Sequence, residues 1–263
     1  MSKAIALGVT GATISAAMLA LGFAAGSGQT NAPAADATRA EEPALSNQQD
    51  IETVVHEYLL ANPQILVEMQ TALQAQEEER QRLTQQQTIR QSAEEIFDAE
   101  HDGIIGNPEG NVTVVEFFDY NCGYCKRALA DMEAMVAADP ELRFVLKELP
   151  ILGPDSQAAH VVSMAFRALA PEKYGEFHRA LLGGGRATEA AAIEIALAQG
   201  VDEAALREEM KNPAIAEAFG STYQLADRLS ITGTPSYVVG NEVVFGALGQ
   251  DVLEEKVELV RNN

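Results

Sequence analysis

The chain has 263 residues, of which 47% are hydrophobic and 22% charged, a balance typical of a soluble globular protein with a large core. Its formal net charge of −21 is spread along the chain without a basic patch, which disfavours nucleic acid and anionic membrane surfaces as partners. The two cysteines lie together in Cys122-Gly123-Tyr124-Cys125, too close to join distant parts of a fold.

The N-terminus has the pattern of an export signal. Lys3 is followed by an apolar run from Ala4 to Ala25 with small residues near its end, which predicts a signal peptide over residues 1–25. The run is also long enough for an uncleaved membrane anchor, which is the alternative. Residues 26–45 have no periodicity and are interpreted as a flexible linker. Both interpretations place the remaining chain outside the cytosol, in the periplasm, where disulfides persist.

Residues 46–100 contain no glycine and have helical periodicity. Asn62-Pro63 separates two helices, because proline is favoured at the first position of a helix. A continuous helix from Pro63 to Asp98 would be about 54 Å long. The apolar positions recur on one face of each helix: Ile51, Val54, Val55, Tyr58 and Leu59, then Ile65, Leu66, Met69 and Leu73. This face predicts a stalk that joins several copies of the chain; docking of the face on the chain's own catalytic domain is the alternative.

Residues 101–263 have the element order of an α/β domain. Val112–Phe118 and Leu142–Leu149 are predicted strands, and a helix follows the cysteines between them. The stretch from about 155 to 229 is helical, two short strands lie at 236–239 and 243–245, and a helix closes the domain. This order predicts a thioredoxin fold with a helical insertion.

The cysteine pair predicts thiol–disulfide exchange. A strand that delivers Cys122 to the start of a helix places its sulfur beside unpaired backbone N–H groups, which favour the thiolate. Cys122 is therefore the predicted nucleophile and Cys125 the resolving thiol. A dithiol is also half of a zinc or copper site. Completing that site would require a histidine, and none is near the cysteines in sequence: His56, His101, His160 and His178.

A second signal is Gly233-Thr234-Pro235, just before a predicted strand. In a thioredoxin fold, proline at this place is typically cis. Such a proline presents a neighbouring backbone group, that of Thr234, to a peptide lying across the active cysteine.

Two motifs resemble the DsbA family of secreted thiol–disulfide oxidoreductases: EFFDYNCGYCK from Glu116 to Lys126, and GTPSYVV from Gly233 to Val239. Upstream, IETVVHEYLLANPQILVE from Ile51 to Glu68 resembles the N-terminal region of the suppressor-of-copper-sensitivity C (ScsC-like) branch. The resemblance covers about residues 50–262. It implies Cys122 as nucleophile, Cys125 as resolving thiol and Pro235 as the cis-proline. For that branch, it also implies a homotrimeric stalk and disulfide isomerase activity.

The dipeptide between the cysteines departs from the oxidase prototype of the family. It is Gly-Tyr in place of Pro-His, so the histidine that helps to stabilise the thiolate is missing. This difference makes disulfide shuffling more plausible than strong oxidation.

Further candidate site residues surround the cysteines. Glu116 matches an acidic residue that the family keeps under the active site, where it can accept the proton of Cys125. Lys147 on the next strand is its expected counter-charge. Tyr120 and Tyr124 are expected to form an apolar rim for unfolded peptides. His160 and His178 are interpreted as packing or surface residues.

The sequence thus predicts an exported disulfide isomerase or reductase that acts on cysteines of secreted proteins. The alternatives are a disulfide-forming oxidase and a Cu(I)-binding protein of copper tolerance. The Cys122–Cys125 pair is the redox group, so no cofactor or metal is expected. Expected partners are unfolded or misoxidised secreted proteins, a membrane-bound thiol reductase or oxidase, and further copies of the chain, with a trimer favoured.

Overall fold

A computed structural model describes residues 48–262. The predicted signal peptide (1–25) and linker (26–45) lie outside the described residues. The chain divides into two compact units, one that ends at Ala61 and one that begins at Asn62. Within the described part, no helix combines the length and the apolarity needed to cross a membrane.

The first unit contains one described helix, α1 (Gln48–Ala61). None of its residues is buried, and its predicted apolar face is exposed along the whole helix. An amphipathic helix gains most of its stability from packing of its apolar face.

The second helix, α2 (Gln64–Gln91), begins after a turn at Asn62-Pro63, as predicted. Its 28 residues give a length of about 42 Å. The prediction of one continuous helix to Asp98 was wrong. Ser92 leaves the helical conformation, with φ −113° and ψ 24°, and a separate short helix, α3 (Ala93–Phe97), follows. This break allows Ile89 on α2 and Ile96 on α3 to enter the same apolar cluster.

The two halves of α2 lie in different environments. Leu66, Met69 and Leu73 in the first half are exposed. In the second half, Ile89 is buried, and the Gln85 side-chain amide donates a buried hydrogen bond of 3.1 Å to the carbonyl oxygen of Leu229. The second half of α2 is thus part of the catalytic domain.

The catalytic domain is built on one sheet of five strands in the order β1-β3-β2-β4-β5. The central strands β2 and β3 are parallel, and the other neighbouring strands are antiparallel. The strands are β1 (Gly103–Gly106), β2 (Val112–Phe118), β3 (Leu142–Glu148), β4 (Ser236–Val239) and β5 (Glu242–Phe245). This arrangement confirms the predicted thioredoxin fold.

Helices cover both faces of the sheet, which explains why β2 is almost continuously hydrophobic. Alternate residues of a strand point to opposite faces. On one face, Val114 and Phe144 belong to a core shared with α4 (Gly123–Ala138), with helices of the insertion and with α10 (Gln250–Arg261). On the other face, Val115 and Val145 pack with the end of α2, with α3 and with α9 (Pro213–Arg228).

The helical insertion lies between β3 and β4. It contains α5 (Pro154–Leu169), a 3₁₀ turn (Pro171–Lys173), α6 (Tyr174–Gly183), α7 (Glu189–Ala198), α8 (Glu203–Glu209) and α9 (Pro213–Arg228). Local sequence determines several of the starts. Asn212 accepts a hydrogen bond from the N–H of Ala214 at 3.0 Å, and Pro213 occupies the first position of α9. Gly153 has φ +105°, a conformation that favours glycine, immediately before Pro154.

Candidate active site

Cys122 lies at the junction between the loop after β2 and the helix α4. It occupies the N-cap position with φ −76° and ψ 115°, so its side chain faces the unpaired N–H groups of the first helical turn. Its own N–H donates to the carbonyl oxygen of Asp119 over 2.9 Å. As a thiol, Cys122 donates a hydrogen bond of 3.1 Å to the carbonyl oxygen of Thr234. The strand-to-helix placement predicted for Cys122 is therefore present.

The surroundings of Cys122 favour its thiolate. The pKa of Cys122 is lowered to about 5 by hydrogen bonds, against an opposing effect of burial. The donors are the Cys125 thiol, the Thr234 side chain and the backbone N–H groups of Cys125 and Tyr124. At neutral pH this sulfur is ionised in the reduced protein. A thiolate is the reactive form of cysteine in disulfide exchange.

Cys125 lies one turn further along α4 and is fully buried. Its hydrogen bond to Cys122, its burial and the nearby Glu116 carboxyl raise the pKa of Cys125 far above that of a free thiol. The two sulfurs therefore differ in the way that a nucleophile and a resolving thiol require: one is charged, and the other stays protonated until a partner removes its proton.

The loop before β4 completes the surroundings of the sulfur. The Thr234-Pro235 peptide bond is cis, as expected. Pro235 is buried and its carbonyl oxygen accepts the N–H of Gly246 at 3.0 Å, while the Ser236 hydroxyl donates to Gly233. These contacts hold Thr234, half-buried, against Cys122.

Glu116 lies beneath the cysteines on the face of the sheet that α4 covers. Burial first, and the charge of Cys122 second, raise the pKa of Glu116 to about 8. Its Oε1 has no hydrogen-bond partner among the described residues. In the pairing of β2 with β4, Glu116 is opposite Tyr237, which belongs to the core on the α4 side of the sheet. Glu116 is thus largely protonated at neutral pH and ionises near pH 8.

The prediction that Lys147 is the counter-charge of Glu116 was wrong. In the register of β2 and β3, Glu116 is opposite Leu146, and Lys147 is opposite Phe117, so the two charges point to opposite faces of the sheet. The Lys147 amine instead forms a buried ion pair with Asp102 and donates to the carbonyl oxygen of Glu95. Lys147 is therefore paired away from Glu116, on the opposite face of the sheet.

The two tyrosines expected in an apolar rim behave differently. Tyr124 is 59% exposed on α4, and the Arg127 guanidinium lies 4.2 Å from its ring centre. Tyr120 is fully buried, and its hydroxyl is 2.8 Å from the Ser163 hydroxyl, so the rim prediction for Tyr120 was wrong. Its side chain points into the core under the helical insertion because α5 and α6 cover that side of the loop.

Two residues that the sequence did not single out shape the loop before Cys122. The buried Asp119 carboxylate accepts hydrogen bonds from the N–H groups of Ile151 and Leu152, at 2.9 and 3.0 Å, and from the Ser156 hydroxyl at 2.8 Å. The Asn121 amide exchanges two hydrogen bonds with the backbone of Ala187, at 2.8 and 2.9 Å. Both residues lie inside the motif around the cysteines, which was the available signal.

The histidines considered as metal ligands are dispersed. His56 is exposed on α1, and His101 lies 3.7 Å from Asp102. His160 and His178 are buried in the insertion, so they pack within the core and do not lie at the surface. Across residues 48–262, no group of three or more His, Cys, Asp or Glu side chains is arranged to hold a metal ion.

Family comparisons agree with this geometry. The model of the DSBA-like thioredoxin domain matches residues 113–258. The model of the copper resistance protein ScsC N-terminal domain matches residues 47–80, which include α1 and the first half of α2.

Solved structures with the same fold cover most of the chain. A thioredoxin-like oxidoreductase from Silicibacter pomeroyi is 40% identical, with a TM-score of 0.61, over 65% of this chain and 98% of that chain. BcfH of Salmonella enterica Typhimurium is 26% identical, with a TM-score of 0.68, over 80% and 94% of the two chains. A linker-deletion mutant of Proteus mirabilis ScsC, 22% identical with a TM-score of 0.58 over 82% and 97%, shares the fold.

Curated relatives match at lower identity. Disulfide bond formation protein D of Bacillus subtilis is 24% identical over 166 residues, which are 59% of this chain and 75% of that protein. The Na(+)/H(+) antiporter NhaA 3 of Salinispora tropica is 26% identical over 161 residues, 61% of this chain, and the chain spans only 25% of its length. The family models and the solved structures together show that this chain belongs to the DSBA-like thioredoxin family of thiol–disulfide oxidoreductases.

Proposed function

We propose that the chain is an exported disulfide isomerase and reductase that works as a homo-oligomer on misoxidised secreted proteins. The observation that carries this proposal is the apolar face that α1 and the first half of α2 expose; Leu66, for example, is 72% exposed. Such a face on a soluble protein indicates a partner. The match of residues 47–80 to the ScsC N-terminal domain supports a second copy of the chain as that partner.

The reaction begins at Cys122. Its thiolate attacks one sulfur of a client disulfide; a new S–S bond forms, and the other client sulfur leaves as a thiolate. In isomerisation, another client thiolate attacks the client sulfur of this mixed disulfide. A different client disulfide forms and Cys122 returns as a thiolate, with no net oxidation.

Reduction uses Cys125 as well. Its sulfur attacks the sulfur of Cys122, and the client sulfur leaves, so that the client gains two electrons and the cysteine pair becomes a disulfide. The pair then requires a membrane-bound thiol reductase, which is the further partner that the proposal includes.

Glu116 is proposed as the acceptor of the Cys125 proton. Part of its raised pKa comes from the negative charge of the Cys122 thiolate. That charge disappears when Cys122 enters the mixed disulfide, and the ionised carboxylate then becomes more favourable. A larger fraction of Glu116 is thus in the ionised form, which can accept a proton, at the step in which Cys125 has to lose its own.

The client peptide is proposed to lie across the Thr234 backbone. Tyr124 supplies an exposed aromatic ring on one side of Cys122. Ile151 and Leu152 add exposed apolar side chains, and their N–H groups are anchored by Asp119 in the loop next to Cys122. These side chains replace Tyr120 as the proposed apolar rim. Unfolded proteins expose apolar segments that suit such a surface.

Assembly through the N-terminal helices would bring several Cys122 thiolates to one client. Linked sites raise the local concentration of the second reactant. The proposed trimer therefore favours shuffling of one client over single oxidation events. The predicted signal peptide supports export to the periplasm, where misoxidised clients occur.

Substitutions on α2 test this proposal. Leu73→Glu places a charge in the exposed apolar face, while Ala75→Glu places the same charge on the opposite side of the same helix. We expect Leu73→Glu to reduce the solution mass to that of a monomer and to lower the refolding rate of scrambled ribonuclease about tenfold. The Ala75→Glu control should keep both. A monomeric unmodified chain, or a fully active oligomeric Leu73→Glu variant, would contradict the proposed assembly.

A disulfide-forming oxidase is the second candidate, and the low pKa of Cys122 favours it. A stabilised thiolate favours the reduced pair, which makes the disulfide form a stronger oxidant. Oxidation of a reduced client peptide by the oxidised protein separates the two functions. An oxidase should complete this reaction rapidly in the Leu73→Glu monomer and show little repair of scrambled ribonuclease in any form.

A further inference from the structure

Three polar residues of α5 interrupt its apolar face. Ser156, His160 and Ser163 are buried and spaced by four and three residues, so they lie on one side of the helix. This side faces the loop that leads to Cys122. Ser156 bonds to Asp119 and Asn121, and Ser163 bonds to the Tyr120 hydroxyl.

His160 makes the contact with the main chain of that loop. The N–H of Tyr120 donates to Nε2 of His160 over 3.2 Å, and Nδ1 of His160 lies 2.7 Å from Oε2 of Glu148. Because Nε2 accepts a hydrogen bond, it carries no proton. The imidazole is therefore neutral, with its proton on Nδ1 and donated to Glu148.

Glu148 holds the imidazole in place from the end of β3. It lies opposite Phe118, the last residue of β2, in the parallel register. Its Oε1 also accepts the Ser163 hydroxyl at 2.6 Å and the Tyr174 hydroxyl at 3.4 Å. Hydrogen bonds from two helices thus orient the carboxyl group, and the second ring nitrogen of His160 is aimed at the loop.

We propose that His160 is a positioning residue for Cys122. The His160 ring, oriented by Glu148, fixes the position of the Tyr120 backbone. Tyr120 lies two residues before Cys122, within the turn in which the Cys122 N–H bonds to Asp119. Without the acceptor on His160, the Tyr120 N–H is left buried without a partner, and the turn shifts to satisfy it. The contacts of the Cys122 sulfur with Thr234 and the start of α4 depend on this turn. The inference rests on the proposed role of Cys122 as nucleophile.

His178 offers a matched control for substitutions at His160. Both histidines are buried and contact the rings of Phe118 and Tyr120, with ring centres 4.6 to 5.5 Å apart. His178 approaches the Tyr120 hydroxyl at 3.4 Å and not the main chain of the loop. Replacing either histidine by leucine therefore removes a similar amount of packing, but only His160→Leu removes the acceptor of the Tyr120 N–H.

The experiment measures the alkylation rate of Cys122 in the full-length reduced chain from pH 3 to pH 9. We expect His160→Leu to raise the midpoint of this profile by about one pH unit, which is about tenfold less thiolate on its acidic side. His160→Gln should restore the midpoint, since its amide can accept from Tyr120 and donate to Glu148. His178→Leu should leave the midpoint within about 0.3 unit. Equal shifts in the two leucine variants, or no shift in His160→Leu, would overturn the proposal.

A spectroscopic measurement on the unsubstituted chain serves as an independent test that needs no variant to fold. The ¹⁵N shifts of the His160 ring should identify the neutral Nδ1–H tautomer, and a proton on Nε2 would reject the proposal. Failure of the proposed function has a different signature. In that case the unsubstituted chain itself would alkylate Cys122 with the pH profile of an ordinary thiol, or would not repair scrambled ribonuclease.

Discussion

The catalytic domain and the N-terminal helices depart from the usual distribution of side chains in opposite ways. Around Cys122, the domain buries ionisable groups, among them Glu116, Asp119 and Glu148. Along α1 and the first half of α2, apolar side chains such as Leu66 and Leu73 are exposed. A buried carboxyl group and an exposed leucine face are each unfavourable in a chain that has only to fold.

The two departures have different explanations. The buried carboxyl groups have hydrogen-bond partners, as Asp119 does, or an altered pKa, as Glu116 does, and such groups are typical of functional sites. For the exposed apolar face, we propose that another copy of the chain covers it. We therefore propose that the first region functions within one chain and the second between chains. The following predictions test this separation, starting with the largest effect.

Cys122→Ser should abolish exchange. Because serine is not ionised near neutral pH, we expect disulfide exchange to fall by at least about 10³-fold in a ribonuclease refolding assay. The companion variant Cys125→Ser keeps the nucleophile and should accumulate mixed disulfides with clients, visible by mass spectrometry.

Alkylation of Cys122 in the unsubstituted chain should have its midpoint near pH 5, because the pKa of Cys122 is lowered to about 5. A midpoint above pH 8 would contradict the thiolate assignment.

Glu116→Gln should stabilise the reduced protein at high pH. The pKa of Glu116 is raised from 4.5 to about 8, so the folded state loses stability as the pH rises from 4.5 through 8. The variant has no carboxyl to ionise, and we expect its free energy of unfolding to gain up to about 5 kcal/mol relative to the unsubstituted protein above pH 8. Below pH 4.5 the difference should not change with pH.

Urea unfolding between pH 4 and pH 9 provides this measurement. Glu176→Gln, on the exposed side of α6, is the control and should show no comparable gain. A Glu116→Gln profile parallel to that of the unsubstituted protein would show that the carboxyl group is not buried beneath the cysteines.

The two ends of α2 should respond differently to truncation of a side chain. Ile89→Ala removes a buried side chain of the catalytic domain and should lower the free energy of unfolding by about 3 kcal/mol, at every protein concentration. Leu73→Ala should have a smaller effect that grows on dilution, because we propose that Leu73 packs against another chain. Urea unfolding at two protein concentrations distinguishes them. If Leu73→Ala lowered the free energy of unfolding equally at both protein concentrations, Leu73 would pack against residues of its own chain.

Tyr124→Ala should have the smallest effect. Its exposed ring contacts Arg127 and belongs to the proposed client surface, so we expect KM for a client peptide to rise about threefold with little change in kcat. Tyr124→Phe keeps the ring and should bind as the unsubstituted protein does. An equal loss in kcat would indicate that Tyr124 acts on the cysteines themselves.

Local patterns were sufficient to predict most of the elements and the two central motifs. The β-branched run Val112–Phe118 is a strand, Cys122 is the N-cap of a helix, and the Thr234-Pro235 bond is cis. The break at Ser92 was missed because the residues around it lack glycine and proline, and the weaker helix-start pattern of Ser92 followed by Glu95 was overlooked. It follows from the packing of Ile96 beneath the sheet.

Contacts across the sheet and the insertion were less predictable. The sequence shows that Ser156, His160 and Ser163 on α5 are spaced by four and three residues. It does not show which loop these three side chains contact. Tyr120 and His160 are 40 residues apart, and their contact depends on how the insertion folds back over the sheet.

The sequence by itself determined the chemistry of this protein. The vicinal cysteine pair between a strand and a helix is a feature of one short segment, and the proline before a later strand is a feature of another. Only the tertiary structure decided the partners of the charged groups. A displacement of one residue in strand register separates Lys147 from Glu116, and helix packing buries Tyr120 and His160. These outcomes arise from contacts between segments that are distant in the sequence. The periodicity of a segment specifies which of its faces is apolar, but it does not specify which other segment covers that face.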